Sequence, residues 1–354
     1  MPGAAIDPLT DATLASAAMP LSITRERLVA LLSATRGRRI VVVGDAMLDV
    51  YLRGDVDRIS PEAPVPVVRV RDRKYALGGA ANVAQNVVAT GAHCDLVAAV
   101  GADRGAEVLR SMLAGIDAAP DALVEVDRPT TTKTRVVARS QQVVRVDEED
   151  DSDLGPEEIE LLLDAVRRSV GEADALVLED YNKGVLVPRV ITEAVEAARA
   201  RGIPVIVDPK YRNFFLYRGA TVFKPNRREL EAALGAAVDI DHPEALPETF
   251  RRLGVDYLLL TLGELGMALL SPEGPIRRVP TVAREVYDVV GAGDTVTAYL
   301  ATVMSAGGTV EEAAVIANYA AGVEVAKLGA ATVSPEEIIE AYDAYRLLND
   351  GGVG

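Results

Sequence analysis

The chain has 354 residues, 49% of them apolar, and a formal net charge of −16, so one large α/β domain with an appendage, or two modest domains, can close around a sizeable core. So acidic a surface argues against nucleic acid or anionic lipid as a main partner, and an anionic ligand would need a local cluster of positive groups with a divalent cation. A single cysteine, Cys94, excludes an intrachain disulfide and multi-cysteine zinc sites, and neither histidine, His93 or His242, sits in an active-site-like context.

The N-terminal stretch over 1–35 is expected to be a loose tail followed by a short amphipathic helix from Ser22 to Ala34, with Leu28, Leu31 and Leu32 on one side. The tail carries Asp7 and Asp11 and no basic n-region, and no apolar stretch approaches ~20 residues, so a cytoplasmic protein without a membrane span is expected. Ile40–Val43 is a β-branched run of the kind that forms a buried parallel strand. Helix and strand then alternate: helices at Ala80–Thr90, Gly105–Leu113, Glu157–Val170, Pro188–Arg201 and Arg227–Leu234, and strands at Asp95–Val100, Ala175–Leu178, Pro204–Val207, Thr221–Phe223 and Tyr257–Thr261. Three helices follow, near 294–306, 310–327 and 335–347, with a C-terminal tail at 348–354. The alternation predicts one α/β domain over 36–347, a mostly parallel sheet with helices on both faces. Two stretches break it. Residues 51–72 contain prolines and short β-like runs, and residues 130–147 suggest a hairpin. They either pair into a small β lid over a cleft or form an irregular edge of the same domain.

Several strand ends carry residues suited to chemistry, and ligands of such sheets bind beyond the carboxyl ends of the strands. In Gly291-Ala292-Gly293-Asp294, small residues open a helix, so backbone amides and the helix dipole can hold an anion. Asp294 beside them can accept the proton of an attacking hydroxyl, or merely cap the helix. Gly78-Gly79-Ala80-Ala81-Asn82 offers amides and an Asn side chain for sugar hydroxyls, or an ordinary turn. Asp49 can accept from hydroxyls, while Asp45 suits a turn cap. Glu229, in Asn226-Arg227-Arg228-Glu229, can orient magnesium through its waters or serve as a first-turn Glu. Lys183 and Lys210 lie at the rim where phosphates would lie, or are ordinary exposed surface lysines, and Thr261 and Gly263 can line a nucleotide. There is no G-x-x-x-x-G-K-[ST], no G-x-G-x-x-G after the first strand and no G-x-S-x-G.

Taken in order, Gly78-Gly79-x-x-Asn82, Asn226-x-x-Glu229 and Gly291-Ala-Gly-Asp294 resemble the ribokinase, or phosphofructokinase-B, family of sugar kinases from about residue 38 to 346. The resemblance implies a ribokinase-like α/β sandwich with a β lid that often builds a homodimer, and ATP and Mg2+ as cofactors. It implies Asp294 as catalytic base with the amides of Gly291, Ala292 and Gly293 as the anion hole. Asp49, Gly78, Gly79 and Asn82 match sugar-binding positions, and Asn226, Glu229, Thr261, Gly263 and Asn318 match nucleotide-side positions. Asp288 matches a position near a monovalent-cation site; many relatives have Thr two residues on, where this chain has Val290, so K+ stays an open question. Asp45-Ala-Met-Leu-Asp49-Val-Tyr51, Arg58-Ile-Ser-Pro-Glu-Ala-Pro-Val-Pro-Val-Val68-containing segment 58–68, Glu179-Asp-Tyr-Asn-Lys-Gly184 and Asp208-Pro-Lys210 are similar to the branch that phosphorylates the anomeric hydroxyl of D-glycero-β-D-manno-heptose 7-phosphate, a step toward ADP-heptose and lipopolysaccharide. Some of that branch carry a fused adenylyltransferase, and here a separate one is expected. Lys183, Arg58, Lys133 and Arg135 are the candidates for the substrate's own phosphate. The rival readings are a kinase for fructose 6-phosphate, ribose or another sugar, and a non-catalytic sugar- or nucleotide-sensing protein.

Overall fold

The structure, a computed structural model, describes residues 21–119, 122–139, 141–240, 246–283 and 286–350. Residues 1–20 of the tail expected over 1–21, residues 351–354 of the expected C-terminal tail, and His242 lie outside them.

The large sheet is set by strands whose two faces are both buried. In β1 (Arg39–Gly44), Ile40 and Val42 enter one apolar cluster while Val41 and Val43 enter the other. A strand buried on both faces reads as an unbroken apolar run rather than an alternating one. The same holds for β4 (His93–Val100), β8 (Ala175–Glu179), β9 (Val205–Asp208) and β11 (Tyr257–Thr261). With β5 (Leu123–Glu125), β10 (Val222–Phe223), β12 (Met267–Leu270) and β13 (Arg277–Val279) they form one nine-stranded sheet, ordered β13-β12-β11-β10-β9-β8-β1-β4-β5. Pairing is parallel from β5 to β11; β12 and β13 add antiparallel at one edge.

Helices cover both faces. On the Ile40 side lie α1 (Arg25–Ala34), α2 (Ala80–Ala89), α3 (Arg104–Ala114), α8 (Ala292–Ser305), α9 (Val310–Glu324) and α10 (Pro335–Asp350). On the Val41 side lie α4 (Pro156–Val170), α5 (Pro188–Ala200), α6 (Arg227–Leu234) and α7 (Leu246–Leu253). Their ends follow local chemistry: Thr24 accepts from the Arg27 amide at α1, Pro156 opens α4, and Thr309 and Glu312 form a reciprocal cap at α9. No helix among the described residues is long and apolar enough to cross a membrane.

A second sheet leaves the first directly, because only Asp45 separates β1 from the 14-residue β2 (Ala46–Ile59). It is ordered β3-β2-β6-β7, with β3 (Pro66–Gly79), β6 (Thr132–Ala138) and β7 (Gln141–Glu148). Asp49 therefore stands on the root of this small sheet and not on the loop after β1. Along β2 one face carries Leu48, Val50 and Leu52, which with Thr132, Thr134 and Arg104 wall a small cavity against α3. The alternate face carries Asp49 and Tyr51, with Lys133 and Arg135 at matching register on β6.

Candidate active site

Three neighbouring parallel strands end in the same phase. Glu179 on β8 lies opposite Asp208 on β9, and Lys224, one residue beyond β10, is tied to β9 by its amide on the Val207 carbonyl at 2.8 Å. All three are buried and face the start of α8, where Asp294 occupies the first turn. Ligand oxygens of Glu179, Asp208 and Asp294 lie within 4.8 Å of one another. Lys224 Nζ donates to Asp208 Oδ2 at 2.7 Å, and Asp208 and Glu179 hold its charge in place against the cost of burial. Glu179 has no hydrogen-bond partner on either oxygen, and burial, reinforced by Asp208 and Asp294, pushes its carboxyl well above the usual range.

Asp294 is better served. Oδ2 accepts from Asn82 Nδ2 at 2.6 Å and Oδ1 from the Tyr181 hydroxyl at 3.0 Å. Burial raises its carboxyl to about 6, with the Asn82 bond pulling the other way and Asp208 adding to the rise. A carboxylate with that value can take a proton from a hydroxyl near neutral pH. Gly291 sits left-handed at φ 98°, where side chains are strained, and a Cβ there would press on Asn82 Nδ2 and Glu324 Oε1, each 3.2 Å away. With no side chain to cap the helix, and Thr295 N the first amide bonded back to Gly291, the amides of Ala292, Gly293 and Asp294 are offered at the turn. The helix begins at Ala292, two residues earlier than the sequence suggests, which puts Gly293 inside its first turn.

Asp45 works on the adjacent loop. Its carboxylate accepts from the amides of Tyr181, Lys183 and Val185 at 2.8, 3.0 and 3.2 Å, so it fixes the segment that presents Tyr181 and Lys183. Burial raises it to about 6, opposed by those amides. The Gly78–Gly79 turn brings β3 against β2: a Cβ on Gly78 would lie 3.2 Å from Asp49 Oδ2, and Gly79, at φ 56°, opens α2 and so delivers Asn82.

Of the four basic candidates, three gather. Arg135 Nη1 donates to Asp49 Oδ1 at 2.6 Å, while Lys133 and Lys183 converge on Glu149, at 2.9 and 2.7 Å. Arg58 does not join them. It is exposed, paired with Val67 far out on the small sheet, and nine positions of strand put it about 30 Å from Asp49. Arg58 is therefore withdrawn as a phosphate ligand of its own chain's site.

The nucleotide-side candidates line a cavity of about 820 Å³ on the other side of the α8 turn. Asn226, Thr261, Gly263 and Asn318 share its wall with Ala292 and Gly293. Asn318 is anchored there by donating to the Pro280 carbonyl at 2.8 Å. Glu229 and Lys210 pair with each other at 2.5 Å. Asn226-x-x-Glu229 is also a reciprocal helix cap: Asn226 Oδ1 accepts from the Glu229 amide and Glu229 Oε2 from the Asn226 amide, each at 2.9 Å. Asp288 ties the turn to the loop after α9, accepting from the amides of Val290 and Gly329.

The pfkB family carbohydrate kinase model matches residues 38–337. The chain belongs to this family. It is 45% identical over 308 residues to "Bifunctional protein HldE" of Rhodospirillum rubrum, covering 86% of this chain and 62% of that protein. With the protein of the same name from Pelobacter propionicus the identity is 46% over 320 residues, covering 90% and 66%. Among solved structures, the ribokinase of Arabidopsis thaliana complexed with ribose and ATP superposes with a TM-score of 0.67 at 21% identity, over 86% of this chain and 98% of that one. The inhibited tetrameric phosphofructokinase-2 of Escherichia coli gives 0.70 at 20%, over 87% and 99%. The fold is thus the ribokinase-like α/β sandwich, and the chain is a carbohydrate kinase with ATP as co-substrate and a divalent metal typical of the family.

Beside the pfkB motifs, the site holds three residues to which the sequence assigns no role: Glu179 and Tyr181, which stand there only within the stretch 179–184, and Lys224. Glu179, Tyr181 and Lys224 lie in no glycine-rich turn. Their common signal is position, at or just past the carboxyl end of a strand.

Proposed function

We propose that this chain transfers the γ-phosphate of ATP to the anomeric hydroxyl of D-glycero-β-D-manno-heptose 7-phosphate, yielding the 1,7-bisphosphate for ADP-heptose and lipopolysaccharide core synthesis. The observation that carries the substrate choice is the pair Lys133 and Lys183, from two different elements, converging on the one carboxylate of Glu149 beside the Arg135–Asp49 pair. Two ammonium groups brought to one carboxylate suit a dianionic phosphate on the sugar's far end. Similarity at 45–82, 179–184 and 208–210 to the heptose branch, and the identity to the HldE relatives, support the same choice.

In this reading Asp49, Asn82 and the Gly78–Gly79 backbone orient the sugar. Asp294 removes the anomeric proton, and the amides at 291–294 stabilise the transferring group as the oxygen attacks in line. The nucleotide lies in the cavity walled by Asn226, Thr261, Gly263 and Asn318, with Lys210 near its phosphates. Glu229 would hold Mg2+, which when bound would supply charge neutralisation on the phosphates, and Asp288 is the candidate contact for K+. Exposed Ile59, Val65, Val70, Val144 and Val146 on the small sheet support a homodimer through this lid, and dependence on ATP supports a cytoplasmic location.

The test is ADP release over a panel of heptose 7-phosphate, fructose 6-phosphate and ribose. Heptose 7-phosphate is expected to give the highest kcat/KM; a higher value for either of the others overturns the substrate assignment while leaving the kinase.

A further inference from the structure

We propose that Glu149 is a built-in stand-in for the sugar's phosphate: it occupies Lys133 and Lys183 until a phosphate displaces it, and so acts as a specificity-determining residue. The inference rests on the reading of those lysines as the site for the sugar's phosphate. Each oxygen of the one carboxylate serves one ammonium group: Oε2 accepts from Lys133 Nζ at 2.9 Å, and Oε1 pairs with Lys183 Nζ at 2.7 Å. Two oxygens of a phosphate would bridge the same two groups in the same way. The lysine side chains are largely buried, 16% and 15% exposed, and Glu149 is the one carboxylate paired with Lys183 among the described residues. Partial burial works to raise the Glu149 carboxyl, and Lys183 and Lys133 together pull it below its ordinary value, so it stays ionised.

Placement decides which of the three gives way. Lys133 lies within β6, opposite Asp49 of β2 on one side and Asp147 of β7 on the other. The backbone of Lys183 is tied down by its amide on the buried Asp45 carboxylate. Glu149 comes one residue past the end of β7, on the irregular stretch 149–155 before α4, so turning it outward breaks no strand pairing. Its departure leaves Lys133 with Asp147 at 3.4 Å and Lys183 with no carboxylate. A largely buried ammonium without a counter-charge is costly, so Glu149 gives way to a ligand that returns the negative charge. A dianionic phosphate returns more than the carboxylate takes away. A sugar without phosphate returns none, and the closed ion pairs discriminate against it. The same competition lowers the apparent affinity for the right substrate.

Inorganic phosphate is the probe, titrated by calorimetry into the full chain with neither nucleotide nor sugar. Glu149→Gln keeps the shape of the side chain and removes its charge. The variant is expected to bind phosphate roughly tenfold more tightly than the wild type, or better, and adding Lys183→Ala is expected to erase the gain. Equal or weaker binding by Glu149→Gln, or a gain that survives Lys183→Ala, overturns the proposal. In turnover, Glu149→Gln should lower the KM for the phosphorylated sugar and leave the KM for ATP unchanged; a raised sugar KM would make Glu149 a ligand of the substrate and is equally fatal. The two readings fall separately. A sugar panel led by fructose 6-phosphate, with the expected gain in phosphate binding, removes the heptose assignment and leaves the displaced carboxylate standing. A panel led by heptose 7-phosphate, with no gain in Glu149→Gln, does the reverse.

Discussion

Replacing Asp294 by Asn tests the proposed base through two quantities that ought to move in opposite directions. The side chain keeps its shape and loses its charge. Asn82 Nδ2 and the Tyr181 hydroxyl both donate to the carboxylate; an amide oxygen can satisfy one of them, and the tyrosine can turn its hydroxyl to accept from the new NH2. Activity should collapse: loss of a positioned base commonly costs ~10²-fold or more in kcat, with the KM for ATP near its wild-type value. Stability should rise. Burial lifts the Asp294 carboxyl to about 6 in the folded chain from its ordinary value of 3.8, so keeping it ionised costs the fold about 3 kcal/mol above pH 6. The sign follows from proton binding: the folded state holds the proton more tightly, so the wild type gives up this increment as pH rises from about 4 through 6. Allowing ~1 kcal/mol for imperfect amide hydrogen bonds, Asp294→Asn should be about 2 kcal/mol more stable at pH 8 and near parity at pH 4. Thermal unfolding at the two pH values, with ADP-release kinetics, makes the measurement. A kcat near wild type refutes the base assignment; a variant less stable at pH 8 refutes the burial argument.

Other expectations follow from the same contacts. The acid limb of kcat/KM should fall near pH 6, and Tyr181→Phe should move it to higher pH by about half a unit to one unit, since the lost hydroxyl helps hold Asp294 ionised. Lys183→Ala and Lys133→Ala should each raise the KM for heptose 7-phosphate roughly 10- to 100-fold, as expected for a charge-assisted bond, and leave the KM for ATP unchanged; equal effects on both would place the lysines elsewhere in the reaction. Asp45→Ala strands the amides of Tyr181, Lys183 and Val185, and should lower stability by about 2 to 4 kcal/mol in denaturant titrations, whereas a neutral result would mean the loop is held by other contacts.

What the sequence discloses follows burial. The strands β1, β4, β8, β9 and β11 sit between two helical layers, so their apolar runs are continuous and easily seen. The small sheet has no such cover. All of β7 is exposed, and β2 shifts register between Arg53 and Gly54 and again between Val56 and Arg58, which breaks any two-residue alternation. Its 14-residue strands are consequently visible only as fragments flanking the prolines. The glycine turns and Asn226-x-x-Glu229 are legible because their geometry is local. The latter turns out to serve as a helix cap and as the partner of Lys210 at once, so the structural and functional readings of that motif are not exclusive.

The centre of the site is illegible for the converse reason. Tyr181 meets Asp294 across 113 positions and Asn82 meets it across 212, and Glu179 acquires its neighbours only when β8 and β9 align in register. This convergence bears on the chemistry. The N-terminus of α8 has one dipole and one set of free amides, and both Asp294 and the transferring phosphoryl group draw on them. Behind them stand two further carboxylates, with Lys224 the one buried ammonium bonded into the trio. An unaided ATP would bring more negative charge to a place already in deficit of positive charge. Burial, reinforced by Asp208 and Asp294, pushes the Glu179 carboxyl well above its usual range, so the trio sheds charge by keeping a proton, and the charge that the nucleotide adds falls to Lys224, Lys210 and the divalent metal typical of the family.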